Sequence, residues 1–121
     1  MPRPNTLGRV RKICLALPET AEKEAWGRPT FRVGKKMFVM FADNHHDDGR
    51  LALRCAAAPG GQDVLVRADA ARFFIPPYVG VRGWIGVRLD VDLDWNEVEA
   101  IVEDAYRFTA PKRLAALLGD I

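Results

Sequence analysis

Residues 30–41 read Thr30-Phe31-Arg32-Val33-Gly34-Lys35-Lys36-Met37-Phe38-Val39-Met40-Phe41. Two apolar, β-prone runs flank the dipeptide Gly34-Lys35, which is the length of a tight hairpin loop. Glycine at the first loop position predicts a type II′ turn, because that turn needs positive φ there. The segment therefore reads as an antiparallel hairpin, and the rest of the chain is read outward from it.

Downstream, Asp43 to Gly49 is a polar loop, and Arg50 to Cys55 predicts a strand with Leu51, Leu53 and Cys55 on one face. Pro59-Gly60-Gly61 breaks the chain. Gln62 to Ala71 predicts a short helix with Val64, Leu65 and Ala68 inward, and Phe73-Phe74-Ile75 a brief strand. Pro76-Pro77-Tyr78 is a rigid loop, and Trp84 to Leu89 predicts a further strand. Asp94 and Glu97 have capping-box spacing ahead of a helix with Val98, Ile101, Val102 and Ala105 on one face. Pro111 opens a second short helix carrying Leu114, Leu117 and Leu118. Upstream, Thr6 is placed to cap a helix whose stripe is Leu7, Val10, Cys14 and Leu17, and Pro18 ends it. Lys23 to Trp26 predicts a strand, with Gly27-Arg28-Pro29 as a turn and Trp26 and Phe31 as large apolar side chains packed about it. Helix, antiparallel strands, then helices is the α+β pattern.

At 121 residues the chain is expected to form one domain, residues 1–121, large enough to hold a core without disulfide or metal. Hydrophobic residues make up 49% and charged residues 28%, which excludes a disordered composition. Serine is absent, which excludes a Ser-His-Asp enzyme. The longest early apolar run, Ile13 to Leu17, is too short for a signal-peptide core or a membrane span, and no membrane partner is expected. The basic start imitates a transit peptide in composition, yet residues 6–17 read as part of the fold. Cys14 and Cys55 form no disulfide framework, so a reducing, cytoplasmic setting is expected.

The net charge of +2 is small, but the charge is segregated. Residues 1–18 carry Arg3, Arg9, Arg11 and Lys12 and no acid. Residues 28–36 carry Arg28, Arg32, Lys35 and Lys36 and no acid. Residues 90–104 carry Asp90, Asp92, Asp94, Glu97, Glu99, Glu103 and Asp104 and no base. Separate basic and acidic surfaces follow.

Most candidate motifs fail on chemistry. His45-His46-Asp47-Asp48 holds metal-ligating residue types, but neighbours in a loop point apart, so a solvated loop is expected and no metal is assigned. Asp90-Val91-Asp92-Leu93-Asp94 begins like a calcium loop, yet Trp95 and Ile101 stand where glycine and glutamate are required. The glycines of Gly80-Val81-Arg82-Gly83-Trp84-Ile85-Gly86 are spaced wrongly for a dinucleotide and precede a strand; they are expected to let Trp84 pack closely. Cys55 with His45 or His46 lacks a third positioning group and lies on an apolar strand face, so no catalytic residue is assigned.

The basic hairpin remains. Arg32 alternates out of phase with Phe31 and Val33, and Lys35 and Lys36 sit at the tip, an arrangement that can lie along a phosphate backbone. Exposed cations on strands also guard sheet edges, which is the competing explanation.

Three stretches carry a family resemblance. They are Ala25-Trp26-Gly27-Arg28-Pro29-Thr30-Phe31-Arg32-Val33 with Lys36 and Phe38; Gly83-Trp84-Ile85-Gly86-Val87; and Ala105-Tyr106 with Ala110-Pro111-Lys112-Arg113-Leu114. In this order and spacing the chain, over roughly residues 6–118, resembles the MmcQ/YjbR family of small bacterial proteins. The resemblance implies a compact α+β domain similar to the frataxin and secretion-chaperone-like folds: a curved antiparallel sheet with N-terminal and C-terminal helices packed on one side. It also implies a DNA-binding-like protein, a label that rests on structural analogy, and it supplies no catalytic set or cofactor. The frataxin analogy would imply iron binding by an acidic first helix. Here that helix carries Arg9, Arg11 and Lys12, and the acids Glu97, Glu99, Glu103 and Asp104 lie on a later one.

The leading expectation is a non-enzymatic, monomeric protein that contacts DNA phosphates weakly and salt-dependently through Arg28, Arg32, Lys35 and Lys36, with Lys112 and Arg113 adding to the surface. Arg28 lacks an obvious packing role, so it is a ligand-facing candidate and equally a partner for Glu22 or Glu24. A protein-interaction module, adaptor-like and recruiting another protein through an open sheet edge, is the second reading. The third is a binder of a small anionic ligand in a pocket lined by Tyr78, Arg82, Trp84 and Tyr106, which requires Arg82 and an aromatic ring to share one cavity.

Overall fold

The computed structural model describes residues 6–43, 50–76, 79–92 and 94–118. The elements run α1 (Thr6–Leu15), β1 (Thr20–Ala25), β2 (Arg28–Val33), β3 (Lys36–Asp43), β4 (Leu51–Cys55), α2 (Gly61–Ala68), β5 (Phe73–Phe74), a 3₁₀ turn (Val79–Arg82), β6 (Ile85–Arg88), α3 (Trp95–Thr109), α4 (Lys112–Ala115) and a closing 3₁₀ turn (Ala116–Leu118). The strands form one open, curved antiparallel sheet in the order β1-β2-β3-β4-β6-β5.

Register explains which side chains are buried together. Phe31, Val39, Cys55 and Ile85 stand opposite one another on successive strands, so they share one face of the sheet. Val10 and Cys14 of α1, Val98, Val102, Ala105 and Tyr106 of α3, and Leu114 of α4 close over that face to make the core. Of the expected stripe, Val10 and Cys14 are buried on α1 and Leu7 is half-buried, while the helix ends at Leu15 and Leu17 is buried beyond it. Thr6 lies within the helix and is itself buried. In α3 the Asp94 carboxylate accepts from the Asn96 amide at 2.9 Å, which supplies the N-cap. The Glu97 carboxylate, placed to supply the reciprocal arm of a capping box, accepts from Arg72 of another element.

The opposite face carries the row Thr30, Met40, Arg54, Gly86 and Phe74. It is covered as well: Thr30, Met40 and Arg54 are all buried. Gly86 is required here, since a Cβ at this position would lie 2.5 Å from the Phe74 ring. The expectation that these glycines make room for Trp84 is corrected to that extent. Arg50 in turn lies over the Phe74 ring, 4.1 Å from its centroid.

Several boundaries differ from expectation. The first turn is Trp26-Gly27, not Gly27-Arg28-Pro29. Both turn residues take positive φ, 53° and 71°, and Arg28 and Pro29 belong to β2. Pro29 sits at a strand end, where a missing amide is tolerated. Trp26 is consequently 71% exposed, whereas Phe31 is fully buried. In the second hairpin Gly34 takes φ 61° and Lys35 does not join it at positive φ, the sign pattern of a type II′ turn. Helix α2 ends at Ala68, three residues early, and turns Val64 and Ala68 outward with Leu65 and Val66 half-buried. Leu117 is exposed because the chain after α4 tightens into a 3₁₀ turn, which rotates it off the α-helical stripe.

Candidate nucleic-acid interface

Of the six cations assigned from sequence, three line one groove and three do not. Arg113 is held by Glu19 through two hydrogen bonds of 3.0 and 3.3 Å, and the guanidinium depresses the Glu19 carboxyl below its ordinary range. Lys112 stands beside it on α4. Arg28 is half-buried on β2, opposite Ala25. Glu22, one of its suggested partners, is instead clamped by Arg11 at 2.8 and 2.9 Å.

The other three converge. Arg32, Lys35 and Lys36 line one open groove of about 520 Å³ together with Trp26, Met37, Ala56, Arg82, Trp84, Phe108 and Thr109. Arg32 leaves the core as its strand parity predicts, and its Nε donates to the Thr30 hydroxyl at 3.3 Å. Lys35 is presented by the type II′ turn and Lys36 by the first residue of β3. Arg82 closes the 3₁₀ turn that precedes β6 and lies 5.8 Å from the Trp84 ring centroid. That turn is pinned by Gln62 of α2, whose amide nitrogen donates to the carbonyls of Gly80 and Trp84 at 2.9 and 2.6 Å. Phe108 and Thr109 come from the last turn of α3.

The groove is cationic by composition. Among the described residues that line it, four are basic and none is acidic. Elsewhere arginines are matched to carboxylates: Arg67 to Asp63, Arg72 to Asp69 and Glu97, Arg88 to Asp90, Arg107 to Glu103 and Asp104. The acidic stretch around α3 is therefore partly neutralised locally.

Arg82 and Trp84 share this cavity, as the small-ligand reading requires, but Tyr106 does not join them. Tyr106 is a core residue, fully buried, with its hydroxyl donating to the Pro18 carbonyl. Tyr78 lies outside the described residues, as do His45 and His46. Phe108 and Thr109 were missed because a helix face at one end of the sheet is joined to a hairpin tip only by tertiary packing. Trp26 had a legible signal: Trp-Gly between two strands is a two-residue hairpin loop, which places its first residue outside the core.

The thiols offer no nucleophile. Burial pushes Cys14 up to about 12 and Cys55 further, so both are neutral thiols near neutral pH. Among the described residues no group of three or more His, Cys, Asp or Glu side chains is placed to hold a metal ion. No helix among them is long and apolar enough to cross a membrane.

Comparison with known proteins agrees with this architecture. The family model YjbR matches residues 15–108. The crystal structure of Deinococcus radiodurans protein DR2400, described by the domain name DUF419, is similar with a TM-score of 0.72. The similarity covers 85% of this chain and 77% of that one, at 19% sequence identity. No curated protein matches. The matched segment takes in all six described strands and most of the chain, and the α+β fold is shared with that structure; the chain belongs to the YjbR family.

Proposed function

We propose that this protein is a non-enzymatic nucleic-acid-binding module whose working surface is the Arg32–Lys35–Lys36–Arg82 groove. The observation that carries this reading is the convergence of four cations, three from the β2–β3 hairpin and one from the 3₁₀ turn before β6, on one concavity, with no acid among its described lining residues. Cations held in a concave, low-dielectric surface attract a polyanion more strongly than the same charges scattered on a convex one. Phosphate contacts of this kind give binding without sequence preference, because they read no base edge.

The test is fluorescence anisotropy with labelled DNA of about 20 base pairs or nucleotides at about 50 and 200 mM salt. Four neutralised phosphates predict roughly a 50- to 150-fold loss of affinity across that interval. The combined variant R32E/K35E/K36E/R82E is expected to abolish binding. Absence of binding to duplex and single strand alike at the lower salt refutes the reading.

A second reading, a small anionic ligand with an aromatic part, is supported by the pairing of Arg82 with Trp84 and by a volume within the usual range for ligand pockets. It predicts saturable, stoichiometric displacement of bound DNA by a mononucleotide at micromolar concentration. Displacement that follows ionic strength alone excludes it.

A further inference from the structure

Trp26 is placed against every ordinary preference for its residue type. It occupies the first position of a two-residue hairpin turn at φ 53°, where asparagine or glycine is favoured and a bulky side chain is strained. It leaves 71% of a large aromatic surface in water. Neither feature helps the fold, and both persist in the wall of the cationic groove. Backbone strain combined with an exposed aromatic at a concave charged surface is the signature of a contact residue.

The shape of the groove narrows the ligand. Trp26 lies in the turn before β2 and Lys35 in the turn after it, so the two ends are separated by a six-residue strand, roughly 20 Å. The groove, about 520 Å³, draws its lining from both ends of this strand. Phe108, 53% exposed, adds a second aromatic surface to the lining beside Thr109. Cations together with exposed rings in one groove are the elements that hold unpaired nucleotides: the cations follow the backbone and the rings take base faces.

We propose that the groove selects single-stranded nucleic acid over duplex, with Trp26 as a base-stacking platform. This rests on the nucleic-acid reading above and specifies its substrate.

The experiment compares labelled oligothymidylate of about 12 nucleotides with a duplex of about 12 base pairs, against the wild type and Trp26→Asn. Asparagine suits the left-handed turn, so the variant is expected to fold with an unchanged or raised melting temperature. That separates loss of contact from loss of structure. The expected result is preference of the wild type for the single strand and roughly a tenfold loss of single-strand affinity in the variant, with duplex affinity unchanged. Phe108→Ala is expected to act in the same direction. Equal binding of both nucleic acids with no effect of Trp26→Asn overturns this inference and leaves the phosphate-binding function standing. No binding of either at low salt removes both.

Discussion

The phenol of Tyr106 donates a hydrogen bond to the carbonyl oxygen of Pro18, 2.7 Å away and 88 positions earlier in the chain. It joins the last turn of the fold's longest described helix to the link between α1 and β1, and the Tyr106 ring meets Phe38 edge-on at 5.6 Å. The two halves of the helical layer are thus fixed to each other and to β3 through one side chain. Tyr106→Phe keeps the ring and removes the bond, so a loss of about 1 kcal/mol is expected. Tyr106→Ala also opens a cavity and is expected to cost roughly 3–5 kcal/mol. Urea denaturation followed by circular dichroism measures both; equal effects of the two variants would contradict this account.

Gly86 and Phe74 form a matched pair. A methyl group at position 86 would fall 2.5 Å from several ring atoms of Phe74, which belongs to the adjacent edge strand. Gly86→Ala is therefore expected to destabilise by about 1–3 kcal/mol through overpacking. Combined with Phe74→Ala, which removes the obstructing ring, the second change should cost at least about 1 kcal/mol less than it does alone. Strict additivity in the double-mutant cycle would show that the two do not meet.

The buried thiols make stability fall on the alkaline side. Both Cys14 and Cys55 have their pKa raised in the folded state by burial, Cys14 from its ordinary 9.0 to about 12. The unfolded chain then releases thiol protons at a lower pH than the native one. The contribution is complete below about pH 9 and is lost as pH rises from there toward 12. Cys14→Ala should flatten the slope of stability against pH across that interval. At pH 8 neither thiol should react with a disulfide reagent until denaturant is added; rapid labelling of the native protein would disprove the burial argument.

Local rules explain why the fold was readable in the chain. The Gly34-Lys35 turn, the Asp94 cap and the α1 and α3 stripes each depend on residues within one element. The Trp26-Gly27 turn misled because Gly-Arg-Pro looks like turn chemistry, while the paired strands place Arg28 opposite Ala25 and so admit only two loop residues. The candidate site was half legible. Arg32, Lys35 and Lys36 are neighbours in sequence and stay neighbours in space. Arg82 and Phe108 arrive from elements 46 and 72 positions beyond Lys36, and only packing brings them to the groove. Arg113 looked equivalent to the hairpin cations by composition. Its pairing with Glu19 spans 94 positions and no local pattern announces it.

That pairing divides the six sequence-assigned cations into two groups with different behaviour. The guanidinium of Arg113 is engaged by a carboxylate, and neither it, Lys112 nor Arg28 lines the groove. Replacing Lys112 or Arg113 with alanine should leave DNA affinity within about twofold and the salt slope unchanged. Replacing Lys35 or Lys36 removes a phosphate contact and should reduce that slope by about 0.7–0.9 for each site. Arg113→Ala has a separate signature: the Glu19 carboxyl loses the donor that depresses it, so its titration should move up toward the ordinary carboxylate range. Both residues of that pair are exposed, and global stability should change little. Carbon-detected NMR titration of Glu19, alongside the binding series, reads the two effects independently. A salt slope that drops with Arg113→Ala as much as with Lys36→Ala would place α4 on the binding surface and displace the groove as the sole contact.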